Sequence, residues 1–408
     1  MRIETVIRKD HGMKAHRVVA VREVPGGLEA EVQRHGKRRL ACGRCRRPTR
    51  DVYDRGRVRR WRSAGVLGRA LWLLYRPWRV VCLGCGVRVE AVPWAARFQR
   101  VTYLLARHIL TFAREVSWRA AAGWLELDWK TVAATVRWAV GEGLRLRRRK
   151  PLHTLGIDEV SRQKGQSYFT LFYDLERGEL LWASEGRKEE AAQLFFAWLG
   201  PRRARALRAV VMDMWAPYRR VVEQEAPQAV IVFDRFHLVG HLNAAVDQVR
   251  RAMVRAMEGA ERRVIKGSRY LWLSNPWTLS DTRRAKLSDL LRLNLPIVRA
   301  YLLKEAFQQF FEYRSRAWAL KWLRDWFHWA THSRLAPLRR FAWLVRRHEE
   351  GILAWIDLRI SNGALEGLNN KIKTVARRAY GFRNPLNHIA AIFHVCGNLP
   401  DPLPTLLG

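Results

Sequence analysis

Three apolar runs, each closing on an aspartate, restrict this chain more than any other feature. They are Leu155-Gly156-Ile157-Asp158-Glu159-Val160, Ala209-Val210-Val211-Met212-Asp213 and Val230-Ile231-Val232-Phe233-Asp234. Short continuous apolar runs are the pattern of strands buried in a sheet. The pattern around them predicts strands at 153–160, 168–175 and 180–184, the last two forming a hairpin around Glu176-Arg177-Gly178-Glu179. An amphipathic helix follows at 188–199, then a strand at 207–212, a helix at 217–224 and a strand at 229–233. The order β-β-β-α-β-α-β describes a small mixed sheet flanked by helices.

An acid at the end of each of three core strands is chemistry rather than packing. Phosphodiester hydrolysis and strand transfer are served by two metal ions about 3.5–4 Å apart. Mg2+, or Mn2+ in its place, prefers hard oxygen ligands, so Asp and Glu side chains must converge. Asp158 and Glu159 point to opposite sheet faces, and Gly156 and Ile157 leave the approach to Asp158 open. In the strand order of an RNase H sheet, Asp213 would sit on the strand next to Asp158. Asp234 would be one strand further out, about 10 Å away. Asp213 therefore ranks ahead of Asp234 as the middle acid. A late helix at 363–379 supplies the remaining ligand: Glu366, Asn369, Asn370, Lys373 and Arg377 share one face, and Leu365, Leu368, Ile372 and Ala376 another. Two asparagines inside a helix are poor helix formers there, which favours a working face over a solvated stripe.

Charge names the partner. The 408 residues hold 75 Lys and Arg against 37 Asp and Glu, a net charge of +38. Such an excess is the footprint of a nucleic-acid binder. Of five cysteines, four fall in the pairs Cys42-Gly43-Arg44-Cys45 and Cys82-Leu83-Gly84-Cys85. This doubled pattern predicts one tetrahedral structural Zn2+ with no open coordination position. The intervening loop carries Arg46, Arg47, Arg50, Arg57, Arg59, Arg60 and Arg62, which points the module at DNA. Leu104, Leu105, Ile109, Phe112, Ala113 and Val116 follow helical spacing. Beyond them, 117–124 and 129–140 read as two helices joined by a tight turn, with Asp128 as N-cap of the second. This is a helix-turn-helix candidate in which Lys130, Thr131 and Arg137 would face DNA; the other reading is a helical hairpin packed by Trp129, Val132, Val136 and Trp138. Residues 238–360 read as almost wholly helical, with their tryptophans expected inside. The N-terminus carries no signal-peptide pattern and no window is long and apolar enough to span a membrane, so a cytoplasmic, nucleoid-associated bacterial protein is expected.

Taken in order, Gly156-Ile157-Asp158-Glu159, Met212-Asp213-Met214-Trp215-Ala216-Pro217-Tyr218, Phe233-Asp234-Arg235-Phe236-His237 and Ser361-Asn362-Gly363-Ala364-Leu365-Glu366-Gly367-Leu368-Asn369-Asn370-Lys371-Ile372-Lys373 resemble the ISL-three family of insertion-sequence transposases, across nearly the whole chain. The resemblance implies a multidomain α+β protein: a zinc ribbon (1–95), a helix-turn-helix with a basic linker (96–150), and an RNase H-like mixed-sheet catalytic domain (151–237 and 361–408) interrupted by an all-helical insertion (238–360). It implies a DDE enzyme with two divalent ions, cutting terminal inverted repeats of double-stranded DNA and joining them to target DNA. A homodimer or larger assembly would be needed to hold two ends. By motif position the acids are Asp158, Asp213 and Glu366, with Asp234 the rival middle acid. Asp234 and His237, together with Asn369 and Lys373, would support the site, and Arg377 would bind DNA. Two alternatives are a domesticated, non-cutting DNA-binding protein and an RNase H-type nuclease.

Overall fold

The computed structural model describes residues 2–36, 39–163, 167–360 and 363–404. Ser361 and Asn362 of the last motif lie outside them. The fold is mixed α+β and forms two compact units, Met1–Arg148 with Thr374–Gly408, and Arg149–Lys373. No described helix is long and apolar enough to cross a membrane.

The first unit begins with α1 (Ile3–Asp10) and a four-stranded sheet in the order β1-β2-β7-β6, formed by β1 (His16–Val24), β2 (Gly27–Arg34), β6 (Arg59–Val66) and β7 (Arg69–Tyr75). Its core gathers Ile7, Met13, Ala30, Trp61, Leu71, Leu73 and Trp94. This sheet is larger than the ribbon expected for residues 1–95, because period-2 alternation is interrupted by arginines and is hard to see in sequence. The cysteine pairs lie on smaller pieces: the hairpin β3 (Leu40–Ala41) and β4 (Pro48–Thr49), and a sheet of β5 (Val52–Arg55), β8 (Trp78–Cys82) and β9 (Gly86–Val89). Residues 71–81 are divided between β7 and β8, parted around Pro77. Next come α2 (Tyr103–Glu115), α3 (Trp118–Trp124) and α4 (Trp129–Leu146). Thr102, Ser117 and Asp128 cap them by accepting from Leu105 N, Ala120 N and Lys130 N, each such cap contributing about 1 kcal/mol.

The second unit holds a five-stranded sheet, β12-β11-β10-β13-β14, from β10 (Thr154–Gln163), β11 (Ser167–Asp174), β12 (Glu179–Glu185), β13 (Ala209–Met212) and β14 (Val230–Phe233). Helices α5 (Glu189–Leu199), α6 (Pro201–Ala204) and α7 (Ala216–Glu225) connect these strands. β11 runs antiparallel to β10, whereas β13 and β14 run parallel to it in sequence of contact, as the alternating elements predict. One face is apolar: Leu155, Ile157, Phe172, Val210 and Met212 join Phe195, Tyr218 and Val222 in the main core, with the Phe172 and Phe195 rings stacked at 4.1 Å.

A helical array follows: α8 (Arg235–Ala256), α9 (Gly259–Gly267), α10 (Arg269–Leu273), α11 (Asp281–Leu291), α12 (Pro296–Gln309), α13 (Arg316–His332), α14 (Ala336–Arg347) and α15 (Glu349–Leu358). Its tryptophans divide. Trp272 and Trp326 are buried and Trp322 packs against the core, but Trp277, Trp318 and Trp329 are exposed, against the expectation of internal packing for all of them. α16 (Gly363–Arg378) carries the late motif, and α17 (Pro385–Cys396), capped by Asn384, packs on α4. α17 goes beyond the helix pattern found in sequence, which ends at 379.

α15 lies against the edge strand β14. The approach is close at Gly351, where a Cβ would stand 2.6 Å from ring carbons of Phe233 and 3.2 Å from the carbonyl oxygen of Ile231. Gly351→Ala should therefore destabilise the protein by about 1–3 kcal/mol through overpacking. A lowered urea midpoint checks this, and an unchanged one contradicts the packing described.

Candidate functional site

Strand register brings the acids together. Gly156 pairs with Val211, and Val211 with Val232, so these three lie abreast on one sheet face. Side chains alternate with period two. Two residues further along each chain stand Asp158, Asp213 and Asp234, set toward the face opposite the apolar core. Asp213 and Asp234 immediately follow their strands, and Asp158 lies beyond the part of β10 paired with β13.

Each acid is held locally. Asp158 Oδ1 accepts from Glu159 N at 2.7 Å, and its Oδ2 accepts from Asn369 Nδ2 on α16. Asp213 Oδ1 accepts from Met214 N at 2.6 Å. The following turn is pinned where Trp215 Nε1 donates to Arg187 O at 3.0 Å, the Arg187 guanidinium lying over the Trp215 ring. Asp234 is buried and caps α8 by accepting from Phe236 N at 3.0 Å.

His237, one turn into α8, stands among all three. Its Nε2 is 3.5 Å from Asp158 Oδ1 and 3.8 Å from Asp234 Oδ2, and its Nδ1 is 3.8 Å from Asp213 Oδ2. Asp158 and Asp234 thus approach one imidazole nitrogen and are closer together than the about 10 Å of strand counting. Strand spacing ignores the convergence of side chains above the sheet. Hydrogen bonding to Asp158, together with the charges of Asp213, Asp158 and Asp234, outweighs burial and raises the His237 pKa to about 9.

A cavity of about 520 Å³ opens beside this cluster. Asp158, Asp234, His237, Glu366, Asn369, Asn370 and Lys373 border it, so α16 brings its sequence-selected face to the acids. Glu366 and Lys373 are exposed there. Arg377, on the last turn of α16, is also exposed. Four further residues contribute that no local sequence pattern announces. Asn275 and Gln308 border the cavity from the helical array. The buried Lys304 holds the break carrying Asn275 by donating to Trp272 O and Ser274 O at 3.0 and 3.1 Å. Glu159, on the core side, accepts from Tyr218 Oη at 2.9 Å; burial raises its pKa, Tyr218 and Arg187 oppose that, and Asp213 and Asp158 add to it.

In the first unit, the sulfur atoms of Cys42, Cys45, Cys82 and Cys85 all lie within 4.8 Å of one another. Among the described residues they are the group of three or more ligand atoms that close. Cys45 and Cys82 Sγ are 3.6 Å apart, near the roughly 3.8 Å edge of a tetrahedron with Zn–S bonds of about 2.3 Å. Burial pushes the Cys42 thiol up, but the backbone N–H groups of Cys45 and Arg44 and the neighbouring thiols prevail and bring its pKa to about 7. Gly43 is required in its knuckle, because a Cβ would sit 2.4 Å from Val89 O, whereas a Cβ at Gly84 would meet only Arg47 Nη1 at 3.9 Å, an ordinary contact. On α4, Val132 and Val136 are buried, Trp129 and Lys130 exposed and Thr131 half-buried. Arg137 is committed to Asn387 Oδ1 of α17 at 3.0 Å.

Carboxylates crowded at the ends of parallel strands, beside a cavity and in a chain of net charge +38, define an acid-rich site in a polyanion-directed protein. Residues 155–392 match the ISL-three family of DDE type, described as transposase. The chain is 32% identical over 349 residues to the transposase for insertion sequence element IS1001 of Bordetella parapertussis, covering 85% of this chain and 86% of that protein. It is 33% identical over 386 residues to the transposase for insertion sequence element IS1557 of Mycobacterium tuberculosis, covering 88% of this chain and 86% of the relative. The chain belongs to the ISL-three family of insertion-sequence transposases. As a DNA transposase it is a DNA-binding and DNA-cleaving enzyme.

The His237 contacts have a pH consequence. The folded pKa of about 9 stands above the ordinary 6.5, so protonated His237 stabilises the metal-free fold fully below about pH 6.5, and that contribution is lost as pH rises through about 9. An imidazole resonance titrating near 9 in chelator, absent from H237A, is the expected observation. A midpoint at or below 6.5 would contradict the cluster as described.

Proposed function

We propose that Asp158, Asp213 and Glu366 are the catalytic carboxylates of a DDE strand-transfer reaction on an RNase H-like sheet. The observation that carries this reading is the register pairing Gly156 with Val211 on neighbouring strands, each two residues before an acid, Asp158 and Asp213, with Glu366 bordering the same cavity as Asp158. The donor set fits divalent cations, because it offers hard carboxylate oxygens and concentrates enough negative charge to hold a proton on His237 well above its usual range. Two Mg2+ or Mn2+ ions would supply the Lewis acidity that activates the attacking oxygen and stabilises the leaving one. Asp158, Asp213 and Glu366 would hold them, while Asp234 fixes the start of α8 and, with it, His237. Lys373 and Arg377 on α16 would steady DNA phosphates.

The DNA substrate in this reading is double-stranded: terminal inverted repeats first freed as 3′-hydroxyl ends, then joined to target DNA. Residues 1–95 with a structural zinc, and the α3–α4 pair with Lys130 and Thr131, would recognise the ends. Arg137 would contribute only on release from Asn387. Two ends held together call for a homodimer or larger assembly, acting on nucleoid DNA in the cytoplasm.

Two experiments test this. On supercoiled plasmid carrying the element with its own ends, D158A, D213A and E366A should each lower strand cleavage by on the order of 10³-fold, as expected for losing several kcal/mol of transition-state stabilisation. D234A should retain more activity than D213A. The reverse order would make Asp234 the middle acid; binding without nicking by the wild type would indicate a non-cutting protein, and hydrolysis without joining a nuclease. Separately, elemental analysis should find one zinc per chain. Cys82→Ser should lose it together with end binding, since structural zinc binding contributes about 10–16 kcal/mol to such modules. A fully folded, zinc-free wild type would refute the assignment.

A further inference from the structure

We propose that Tyr173 is a positioning residue of the active site, fixing the amide of Asn369 and, through it, both the orientation of Asp158 and the seating of α16. The proposal rests on the catalytic role given to Asp158 and Glu366 above. Tyr173 lies on β11 directly opposite Gly156, and Asp158 is opposite Leu171, so Tyr173 and Asp158 are diagonal neighbours on the same sheet face. Gly156 carries no side chain to compete for the space beside the Tyr173 ring. The ring is fully buried, yet its hydroxyl donates to Asn369 Oδ1 at 2.9 Å. Asn369 Nδ2 in turn donates to Asp158 Oδ2.

The directions of these bonds are fixed by chemistry. An ionised carboxylate only accepts, so the amide must turn its NH2 toward Asp158. Its oxygen then faces inward and needs a donor, which the phenol supplies. Without that hydroxyl the Asn369 oxygen loses this donor and the amide is free to rotate. One oxygen of Asp158 then loses its fixed partner, while Oδ1 keeps the Glu159 N–H. Asn369 also lies three residues after Glu366, one turn along the same helical face. The Tyr173–Asn369–Asp158 chain therefore ties the helix bearing Glu366 to the strand bearing Asp158, and sets how the two acids face one another.

Tyr173→Phe keeps the buried ring and removes the hydroxyl that donates to Asn369. With full-length protein, Mn2+ binding is followed by electron paramagnetic resonance of free Mn2+, and nicking of element-bearing plasmid is measured against Mn2+ concentration. Y173F is expected to raise the Mn2+ midpoint about three- to tenfold, the range of one net hydrogen bond, with melting temperature and maximal rate less affected. N369A should shift the midpoint likewise, and Y173F should add nothing to N369A, because the two residues act through one chain. An unshifted midpoint in Y173F, or additive shifts in the double variant, overturns the proposal. If Y173F does not fold, N369A cuts the same chain at its next link, and an unshifted midpoint there overturns it equally. D158A separates the two readings: nicking by D158A at close to the wild-type rate defeats both, whereas a D158A slowed by on the order of 10³-fold beside an unshifted Y173F defeats the positioning role alone.

Discussion

Everything at the site depends on the register of three parallel strands. Because Gly156, Val211 and Val232 are abreast, the alternation of side chains delivers an acid from each strand to one face. The same alternation gives Leu155, Val210 and Met212 to the core on the other. A slip of one residue in any strand would exchange these sets, burying an aspartate and exposing an apolar side chain. Core burial therefore fixes the placement of the acids, since each misplaced Leu or Val would forfeit about 1.5–3 kcal/mol. The site needs no separate device to bring its strand-borne acids into line.

Bringing them together creates a problem of charge. Carboxylates on adjacent strands repel. The helix that begins at Asp234 solves this within one turn: Asp234 caps it, and His237 comes round to meet Asp158, Asp213 and Asp234 together. The imidazole takes up a proton because the surrounding charge favours it. A site that raises a histidine to about 9 is a cation-attracting site by construction, and this links the fold to the chemistry its family performs.

Sequence reading recovered what periodicity encodes. The strands that end in acids, the amphipathic α16 and the paired cysteines follow from local pattern, whereas the order placing the Asp213 strand beside that of Asp158 came from the strand order of an RNase H sheet; all stand in the structure near the expected residues. What it missed depends on contacts distant in sequence. The role of Tyr173 is visible only once β11 is registered on β10 and α16 has returned nearly 200 residues later, the hydrogen bond to Asn369 spanning 196 positions. Asn275 and Gln308 reach the cavity through the packing of a helical array whose arrangement no short motif announces. α17 escaped because its face is apolar almost all round, with His388 and His394 buried among the aliphatic side chains, so no polar stripe marks its period.

The long helical array between Asp234 and Glu366 fits the same logic. A helical array of this size could have loosened the site, but its two ends are both fixed there. α8 starts on Asp234 and carries His237 in its first turn. At the other end α15 lies so close on β14 that only glycine fits at 351, and Val211, Val232 and Ala354 form a small core beneath it on the acid-bearing face. α16 then follows within a few residues. The array thus enters the sheet at one acid and leaves it beside another, and its interior is bound to the main core through Trp272, Phe307 and Trp326. The helices that separate the acids in sequence thus return Glu366 to the cavity that Asp158 borders.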